Sequence, residues 1–278
     1  VLNGASENVA KLVGAILEKA PHALADVDSR GETLLANLAR LASEPLHANA
    51  ASDTTRGEVL EAVLRDIANP ERIDQGDAPT CTVASVQYEL VADEPAEYAR
   101  ILADLTGPQG KAKLRNGGVL ELEAGETSAR DGRSVSQTIF QNAAMEYGNG
   151  KDATFDPVTR RSTNHVTGRE QQGLIPAQQT QVLRQVFGVN YESKRFADER
   201  EGAKALEKVR GYTAAGSQNR PIILHIDQGD FNHAVTLDKV RDGQVFYRDP
   251  YGVLRSMPEE QFATYVVAMN APRDLNVL

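Results

Sequence analysis

The chain has 278 residues, of which 41% are hydrophobic, and its 30 Lys and Arg against 39 Asp and Glu give a formal net charge of -9 at pH 7. This composition is too hydrophobic for a disordered protein and predicts a soluble globular protein with one large core or two modest ones. The negative charge, without a clustered basic segment, argues against nucleic acid as a partner. The apolar stretches are too short to span a bilayer, which argues against a membrane partner.

No signal peptide is visible, so we predict a protein that is cytoplasmic or is secreted without a visible signal. The chain begins at Val1 rather than Met, which is compatible with a trimmed or processed form or a fragment of a longer polypeptide. Its one cysteine, Cys81, cannot form an internal disulfide, as is typical of a reducing compartment. No group of His, Cys and Asp has metal-ligand spacing, so we predict no metal and no cofactor. The sequence leaves the oligomeric state open.

The first 70 residues are predicted to form an N-terminal helical region. Apolar residues recur at helical spacing in three segments: Val9 to Leu17, Leu34 to Leu41 and Val59 to Ile67. The third helix should end at Asn69, because a residue that precedes proline is pushed out of the helical conformation. A polar loop, Glu71 to Thr80, follows this region.

Further helices are predicted over five segments: Cys81 to Val91, Pro95 to Leu105, Ser134 to Tyr147, Pro176 to Val186 and Arg200 to Tyr212. Gly188 and Gly216 should close the last two helices. Val119 to Glu123 predicts a short strand. Residues 148–172 lack periodicity and are rich in Gly, Asn, Asp, Thr and Arg, so we expect an exposed, mobile loop that is a solvated connector, with a lid or a cleavage-prone segment as the alternative.

The C-terminal part of the chain has the patterns of β-strands. The predicted strands are Pro221 to Ile226, His233 to Val240, Gln244 to Asp249, Val253 to Met257 and Tyr265 to Met269. The turn signal Arg241-Asp242-Gly243 joins the second and third strands into an antiparallel hairpin. We therefore predict an α+β fold, with a helical N-terminal half packed against a small antiparallel sheet and a cleft between the two.

Cys81 is the strongest candidate for a catalytic residue. A thiol acts as a nucleophile in its thiolate form, which the positive end of a helix and a nearby imidazole favour. Cys81 stands where a helix should begin, with Pro79 and Thr80 before it as a stop signal and an N-cap. The alternative for a lone cysteine is a buried residue that only packs.

Gln75 is the candidate partner of this cysteine, six residues upstream in the polar loop. If the loop folds back over the helix start, its amide and the backbone N–H of Cys81 form an oxyanion hole. The alternative is a solvated glutamine, so this assignment depends on the assignment of Cys81.

His233 is the best placed of the five histidines to act as a base. It opens a predicted strand directly after a polar loop, where its ring can face a cleft. His225 lies inside an apolar run and is predicted to be a core or sheet-face residue. The other three histidines, His22, His47 and His165, lie in the N-terminal helices or in the polar segment 148–172.

Asp249 ends the strand that pairs with the His233 strand, and the register decides whether the two side chains meet. A two-residue turn at Asp242-Gly243 would pair Asp249 with Thr236, on the wrong face. A three-residue turn with a left-handed glycine pairs Asp249 with Val235 and places it diagonal to His233, within reach of the ring. The alternative for Asp249-Pro250 is a simple turn.

Taken together, three motifs resemble the papain-like fold, and most closely the C39-like peptidase group. They are Gln75-x5-Cys81, the strand opening Asn232-His233-Ala234-Val235, and the sixteen-residue step to Asp249-Pro250-x-Gly252. The resemblance covers about residues 71 to 270 and implies a papain-like catalytic domain over residues 71–278. The chain departs from the group at Thr82, where the group usually has glycine, and in its N-terminal helical region.

The resemblance implies Cys81 as nucleophile, His233 as base, Asp249 as the residue that orients the histidine, and Gln75 as oxyanion donor. The predicted function is that of a cysteine protease that cleaves peptide or isopeptide amides of a protein or peptide substrate, with a bacterial effector or toxin as a natural guess. The same triad serves a glutamine deamidase or transamidase, which the sequence does not separate from a protease. A non-catalytic helical binding module is the alternative from another class.

Overall fold

The computed structural model describes residues 7–125, 127–128, 130–210, 212, 220–229 and 232–278. It has a mixed helical and β architecture, as the α+β prediction requires. The helices occupy mainly the first two thirds of the chain, and the largest sheet is formed mainly by the last quarter.

Four helices precede residue 70: α1 (Glu7–Lys19), α2 (Leu34–Ser43), α3 (Ala48–Ala51) and α4 (Arg56–Ala68). Helix α4 begins with a capping box, in which Thr55 and Glu58 satisfy each other's backbone amides. It ends at Ala68, and Asn69 is the C-cap residue directly before Pro70, where the sequence predicts the end of the helix. The apolar faces of α1 to α4 pack into a hydrophobic core that these helices share with the helices that follow.

The next four helices surround the start of the predicted catalytic region: α5 (Cys81–Asp93), α6 (Pro95–Thr106), α7 (Val135–Asn149) and α8 (Pro176–Phe187). Helix α5 is buried over most of its length, with Val83, Val86 and Leu90 fully covered. It contacts α6, α7, α8 and the main sheet, so its first residue is held by neighbours on several sides.

The main sheet has six antiparallel strands in the order β10-β9-β8-β7-β11-β6. In chain order, the six strands and the two helices that lie between them are β6 (Tyr191–Arg195), α9 (Glu199–Lys208), β7 (Ile223–Asp227), β8 (Asn232–Arg241), β9 (Gln244–Asp249), β10 (Val253–Pro258), α10 (Glu259–Ala263) and β11 (Val266–Pro272). One face packs with α9 and α10 in a second apolar cluster. The other face meets α5, since Ile223 and Ala234 belong to the helical core.

The prediction of an irregular connector over residues 148–172 is wrong. This segment forms a three-stranded antiparallel sheet of β3 (Ala153–Asp156), β4 (Arg161–Asn164) and β5 (Glu170–Gln171). Its strands are so short that the sequence pattern has too few alternations to be recognised. A further two-stranded sheet consists of β1 (Lys111–Lys113) and β2 (Val119–Glu121), of which only β2 is predicted from the sequence.

Other differences concern element ends and short elements. Helix α9 ends at Lys208 rather than at Tyr212, and the predicted closing glycine, Gly216, lies outside the described residues. The sequence pattern does not predict strand β6, because residues 191–195 lack an apolar alternation and lie at the exposed edge of the sheet. Helix α10 is a single turn that the periodicity does not reveal.

The hairpin between β8 and β9 has the predicted register near Asp249, but its turn differs from the predicted one. Its turn has two residues, since Arg241 pairs with Gln244 and both Asp242 and Gly243 have positive φ. A β-bulge between Leu237 and Lys239 then shifts the register by one residue. The three-residue turn is therefore wrong, but the bulge has the same effect on the register as the extra turn residue.

Among the described residues, the structure contains no helix with both the length and the apolar character that crossing a membrane requires.

Candidate active site

Cys81 is the first residue of α5, and it lines a surface cleft. The residue is 8% exposed. The first turn of a helix has N–H groups without intrahelical acceptors, and the helix dipole places partial positive charge there. Thr80 occupies the N-cap position without capping the helix, because its hydroxyl donates instead to Gln141 Oε1 at 2.6 Å. The sulfur therefore lies where a negative charge is favoured.

His233, at the start of β8, forms hydrogen bonds to both Cys81 and Asp249. The distance from His233 Nε2 to Asp249 Oδ1 is 3.1 Å. Burial lowers the pKa of His233, but the hydrogen bonds to Asp249 and Cys81 outweigh it and raise this pKa to about 9. The structure thus brings together the three residues that the sequence singled out, with the imidazole between the thiol and the carboxylate.

Asp249 is held by more partners than the sequence indicated. Its Oδ1 also accepts a hydrogen bond from the backbone N–H of Tyr251, at 3.2 Å, and its Oδ2 accepts one from Arg255 Nε, at 2.7 Å. Burial raises the pKa of Asp249, but the hydrogen bonds to His233 and Arg255 outweigh it and hold this pKa below its usual value. Asp249 is therefore a fixed, ionised partner of the histidine.

Tyr251 is a site residue that the sequence analysis missed. Its ring stacks on the imidazole of His233, with centroids 5.7 Å apart and planes at 18°. Its hydroxyl lies 3.4 Å from Gln75 Nε2. Tyr251 is 46% exposed and shields one face of the imidazole from solvent. The available signal was an aromatic residue directly after Asp249-Pro250, inside the motif already noted.

Gln75 lies in the same cleft as Cys81, as predicted, and its side chain is buried. Its Nε2 donates to the carbonyl of Ala78 at 3.1 Å, and its Oε1 has no hydrogen-bond partner within the described part of the chain. The backbone N–H of Gln75 donates to Pro250 O at 2.8 Å, which ties the loop to the segment after β9. The loop therefore folds back toward the triad, and the Gln75 amide reaches the hydroxyl of Tyr251, whose ring stacks on His233.

Gly76 makes this fold-back of the loop feasible. Its φ is +57°, and a Cβ at this position would lie 2.0 Å from the carbonyl oxygen of Asp131. A side chain at residue 76 would thus be strained by the backbone conformation and would also clash. The same carbonyl accepts the N–H of Asp77 at 3.0 Å, so the close approach is part of the anchor of the loop.

Gln141, on α7, links the Gln75 loop to the start of α5. Its Nε2 donates to Asp74 O at 2.9 Å, and its Oε1 accepts the hydroxyl of Thr80. It also donates to Gln87 Oε1 at 2.9 Å. One buried amide thereby fixes the residue before the proposed oxyanion donor and the residue before the nucleophile.

A buried hydrogen-bond chain continues from Gln87 into the core. Gln87 Nε2 donates to the hydroxyl of Tyr98 at 2.9 Å, and this hydroxyl donates to Asp66 Oδ2 at 2.7 Å. Burial raises the pKa of Asp66 to about 6, although hydrogen bonds from Ser136 and Tyr98 oppose the rise. These hydrogen bonds connect Asp66, on the N-terminal helix α4, to Gln141, which holds the Gln75 loop and Thr80.

Thr82, the residue that departs from the C39-like pattern, is buried in the first turn of α5. Its carbonyl accepts a hydrogen bond from Gln179 Nε2 at 2.7 Å, while its hydroxyl has no partner within the described part of the chain. Thr82 lines the cleft, so its side chain narrows the space beside the nucleophile.

His225 is a buried residue on β7, as the sequence predicts. It forms a 2.7 Å hydrogen bond between its Nε2 and Gln179 Oε1. Burial, followed by the charges of Arg195 and His233, lowers the pKa of His225 to about 3. It is therefore neutral at physiological pH and does not compete with His233 as a charged partner of the thiol.

The cleft has a volume of about 570 Å³ and is bounded by both halves of the molecule. The helical half contributes the Gln75 loop and the starts of α5 and α8. The main sheet contributes His233 and Arg195, and the turn between β9 and β10 contributes Tyr251. One wall consists of residues of the β3–β5 sheet, including Arg160, Arg161 and Glu170.

No protein-family model matches the chain, and a search of curated proteins finds no match either. Within the described residues, no group of three or more His, Cys, Asp and Glu side chains could hold a metal ion. The function is therefore inferred from the chemistry of the residues in the cleft.

Proposed function

We propose that the chain is a papain-like cysteine hydrolase that cleaves peptide or isopeptide amides through a Cys81-His233-Asp249 triad. The observation that supports this proposal best is the hydrogen-bonded sequence of thiol, imidazole and carboxylate at the start of a buried helix, open to a cleft. A structural cysteine needs neither an ionisable partner nor access to a cleft.

The proposed reaction begins with attack of the Cys81 thiolate on the carbonyl carbon of the amide. The tetrahedral intermediate collapses when His233 donates its proton to the leaving amine and the C–N bond breaks. The neutral ring then takes a proton from water as the water oxygen attacks the acyl-enzyme, and the C–S bond breaks to release the carboxylic acid and restore the Cys81 thiolate beside the protonated ring. A pKa near 9 keeps His233 protonated at neutral pH, so the proton for the leaving amine is already present.

The oxyanion is proposed to bind between the backbone N–H of Cys81 and the side-chain amide of Gln75. One N–H of Gln75 donates to Ala78. Among the described residues, the other has only the 3.4 Å contact with the Tyr251 hydroxyl, and we assign it to the oxyanion. Tyr251 would then give up this contact when substrate binds.

The order of elements supports membership of the papain-like fold, and of the C39-like group within it. A cysteine begins a helix that packs on an antiparallel sheet, and the histidine and aspartate lie on neighbouring strands of that sheet. The effector or toxin role stays a prediction from the resemblance, and Thr82 and the N-terminal helices are departures from the group.

The experiment combines thiol labelling with proteomics. We expect iodoacetamide to label Cys81 at mildly acidic pH much faster than it labels a free thiol, and His233→Ala to remove this advantage. A proteome treated with the wild type should gain new termini that are absent after treatment with Cys81→Ala. Deamidated or cross-linked glutamines instead of new termini would assign a deamidase or transamidase. Slow labelling without any modification would contradict an enzymatic role and favour a binding module.

A further inference from the structure

The cleft contains five charged side chains besides the triad: Asp77, Arg160, Arg161, Glu170 and Arg195. Most of these charges are compensated nearby. Arg160 pairs with Asp131 at 2.6 Å and also donates to the carbonyl of Asp77, so its guanidinium lies beside that residue. Arg161 pairs with Glu170 at 2.7 Å.

Arg195 is the exception among these five residues. Its side chain is exposed at the end of β6, and it forms no ion pair or side-chain hydrogen bond with any described residue. Its charge acts on the cleft interior, because it contributes to the lowered pKa of His225 after the larger effect of burial. Since His225 is neutral, Arg195 is the uncompensated cation at this end of the cleft within the described part of the chain.

The strand register gives the distance of Arg195 from the triad. Ala234, next to His233, pairs with His225, which pairs with Ala268, which pairs with Arg195. Neighbouring strands are about 4.8 Å apart, so three steps across the sheet span roughly 14 Å between backbones. The arginine side chain extends back over part of this distance. Because an extended peptide advances about 3.3 Å per residue, the guanidinium can contact a substrate residue roughly two to four positions from the scissile bond.

The cleft that holds Arg195 and the nucleophile also has uncharged lining residues. They include Thr82 and, at the start of α8, Ile175 and Pro176, and Ile175 is partly exposed. A side chain with an aliphatic stem can pack on these residues while its end group reaches the guanidinium. Glutamate fits this description best, because arginine binds carboxylates through two parallel hydrogen bonds.

We propose that Arg195 is a specificity-determining residue that binds an acidic side chain of a peptide substrate, two to four residues from the scissile bond. This inference rests on the proposed peptidase function. It defines the substrate class as extended segments with a glutamate, or less favourably an aspartate, on the β6 side of the cleavage site.

The test profiles cleavage of a proteome-derived peptide library by the wild type and by Arg195→Glu. We expect the wild type to prefer Glu over Ala at one such position by about tenfold or more in kcat/KM. Arg195→Glu should reverse the preference toward Lys or Arg at the same position. The wild-type preference should weaken as the salt concentration rises, because Arg195 is exposed.

Lys194→Glu provides the matched control, since it makes the same change of charge one residue away. Lys194 pairs with Glu201 and does not line the cleft. Its substitution should leave the acidic preference unchanged. Cleavage without an acidic preference, or the same preference after Arg195→Glu, would overturn this inference alone. If the wild type cleaves no peptide, the proposed peptidase function fails and the inference fails with it.

Discussion

Two buried histidines on neighbouring strands of one sheet have opposite acid–base properties. His225 on β7 has a pKa near 3, and His233 on β8 has a pKa near 9. Burial lowers both values, since both side chains are almost completely covered. His225 contacts the neutral amide of Gln179, whereas His233 contacts the carboxylate of Asp249 and the thiol of Cys81. Burial disfavours the charged form of both rings, and His233 is protonated because the hydrogen bonds to Asp249 and Cys81 outweigh this effect.

This difference also predicts opposite effects on folding. The pKa of His225 is lower in the folded than in the unfolded chain, so its contribution to stability is complete above about pH 6.5 and is lost as the pH falls toward 3. The pKa of His233 is raised, so its contribution is complete below about pH 6.5 and is lost as the pH rises toward 9.

The largest effect is expected when His233 loses its charged partner. Asp249→Asn keeps the shape of the side chain but removes the charge that keeps the ring protonated, so His233 should resemble His225. We expect kcat/KM to fall on the order of 100-fold or more, and the pKa of His233 to fall. NMR titration of the ring and steady-state kinetics measure the two effects. An unchanged pKa of His233 would contradict the role assigned to Asp249.

A large effect is also expected from the residue that keeps the sulfur beside His233. Gln141→Leu leaves the hydroxyl of Thr80 and the carbonyl of Asp74 buried without a partner. We expect a loss of about 2–4 kcal/mol in the free energy of unfolding and a fall on the order of 10-fold in the labelling rate of Cys81. Denaturant unfolding and iodoacetamide kinetics measure these two quantities.

The matched control for this variant is Gln87→Leu. It breaks the same buried hydrogen-bond chain but leaves the contacts of Gln141 with Asp74 and Thr80 in place. It should reduce stability and leave the labelling rate nearly unchanged. Equal losses of labelling in both variants would show that Gln141 acts through stability alone.

The contrast between the two histidines can also be tested by giving His225 a charged partner. Gln179→Glu places a carboxylate where the amide oxygen of Gln179 lies 2.7 Å from the ring. We expect the pKa of His225 to rise by about 1–3 units and the loss of stability on acidification to become smaller. NMR titration and unfolding at several pH values test this. A His225 that stays neutral beside a glutamate would mean that burial dominates after all.

The smallest effect is expected from Arg255, which is half exposed and holds the second oxygen of Asp249. Arg255→Met removes a positive charge near the pair, so the pKa of His233 should rise slightly, and kcat/KM should fall about 2- to 5-fold as Asp249 becomes less well oriented. The pH profile of activity should move to higher pH. Arg248→Met, on the same hairpin but stacked on Tyr88, is the control and should have little effect on the profile.

The sequence predicted the residues of the triad better than it predicted their surroundings. Cys81, Gln75 and His233 follow from local signals: a helix start, a loop before it and the opening of a strand. Tyr251 and Arg255 contact the triad through the stacking and pairing of strand ends, and one residue of register decides these contacts. The β3–β5 wall was missed because strands of two to four residues are stabilised by their neighbours rather than by their own pattern.

The bulge at Asp238 separates the tip of the β8–β9 hairpin from the part that aligns the triad. Substitutions in the Asp242-Gly243 turn can alter the tip without moving Asp249, provided that the bulge persists. If Asp238 entered the ladder instead of bulging out, β9 would slide by one residue, Asp249 would turn to the other face of the sheet and the imidazole would lose its anion. Deletion of Asp238, by contrast, should remove the bulge and leave Asp249 opposite Val235. One inserted residue in the middle of a strand, rather than the length of its turn, thus sets the alignment on which the proposed chemistry depends.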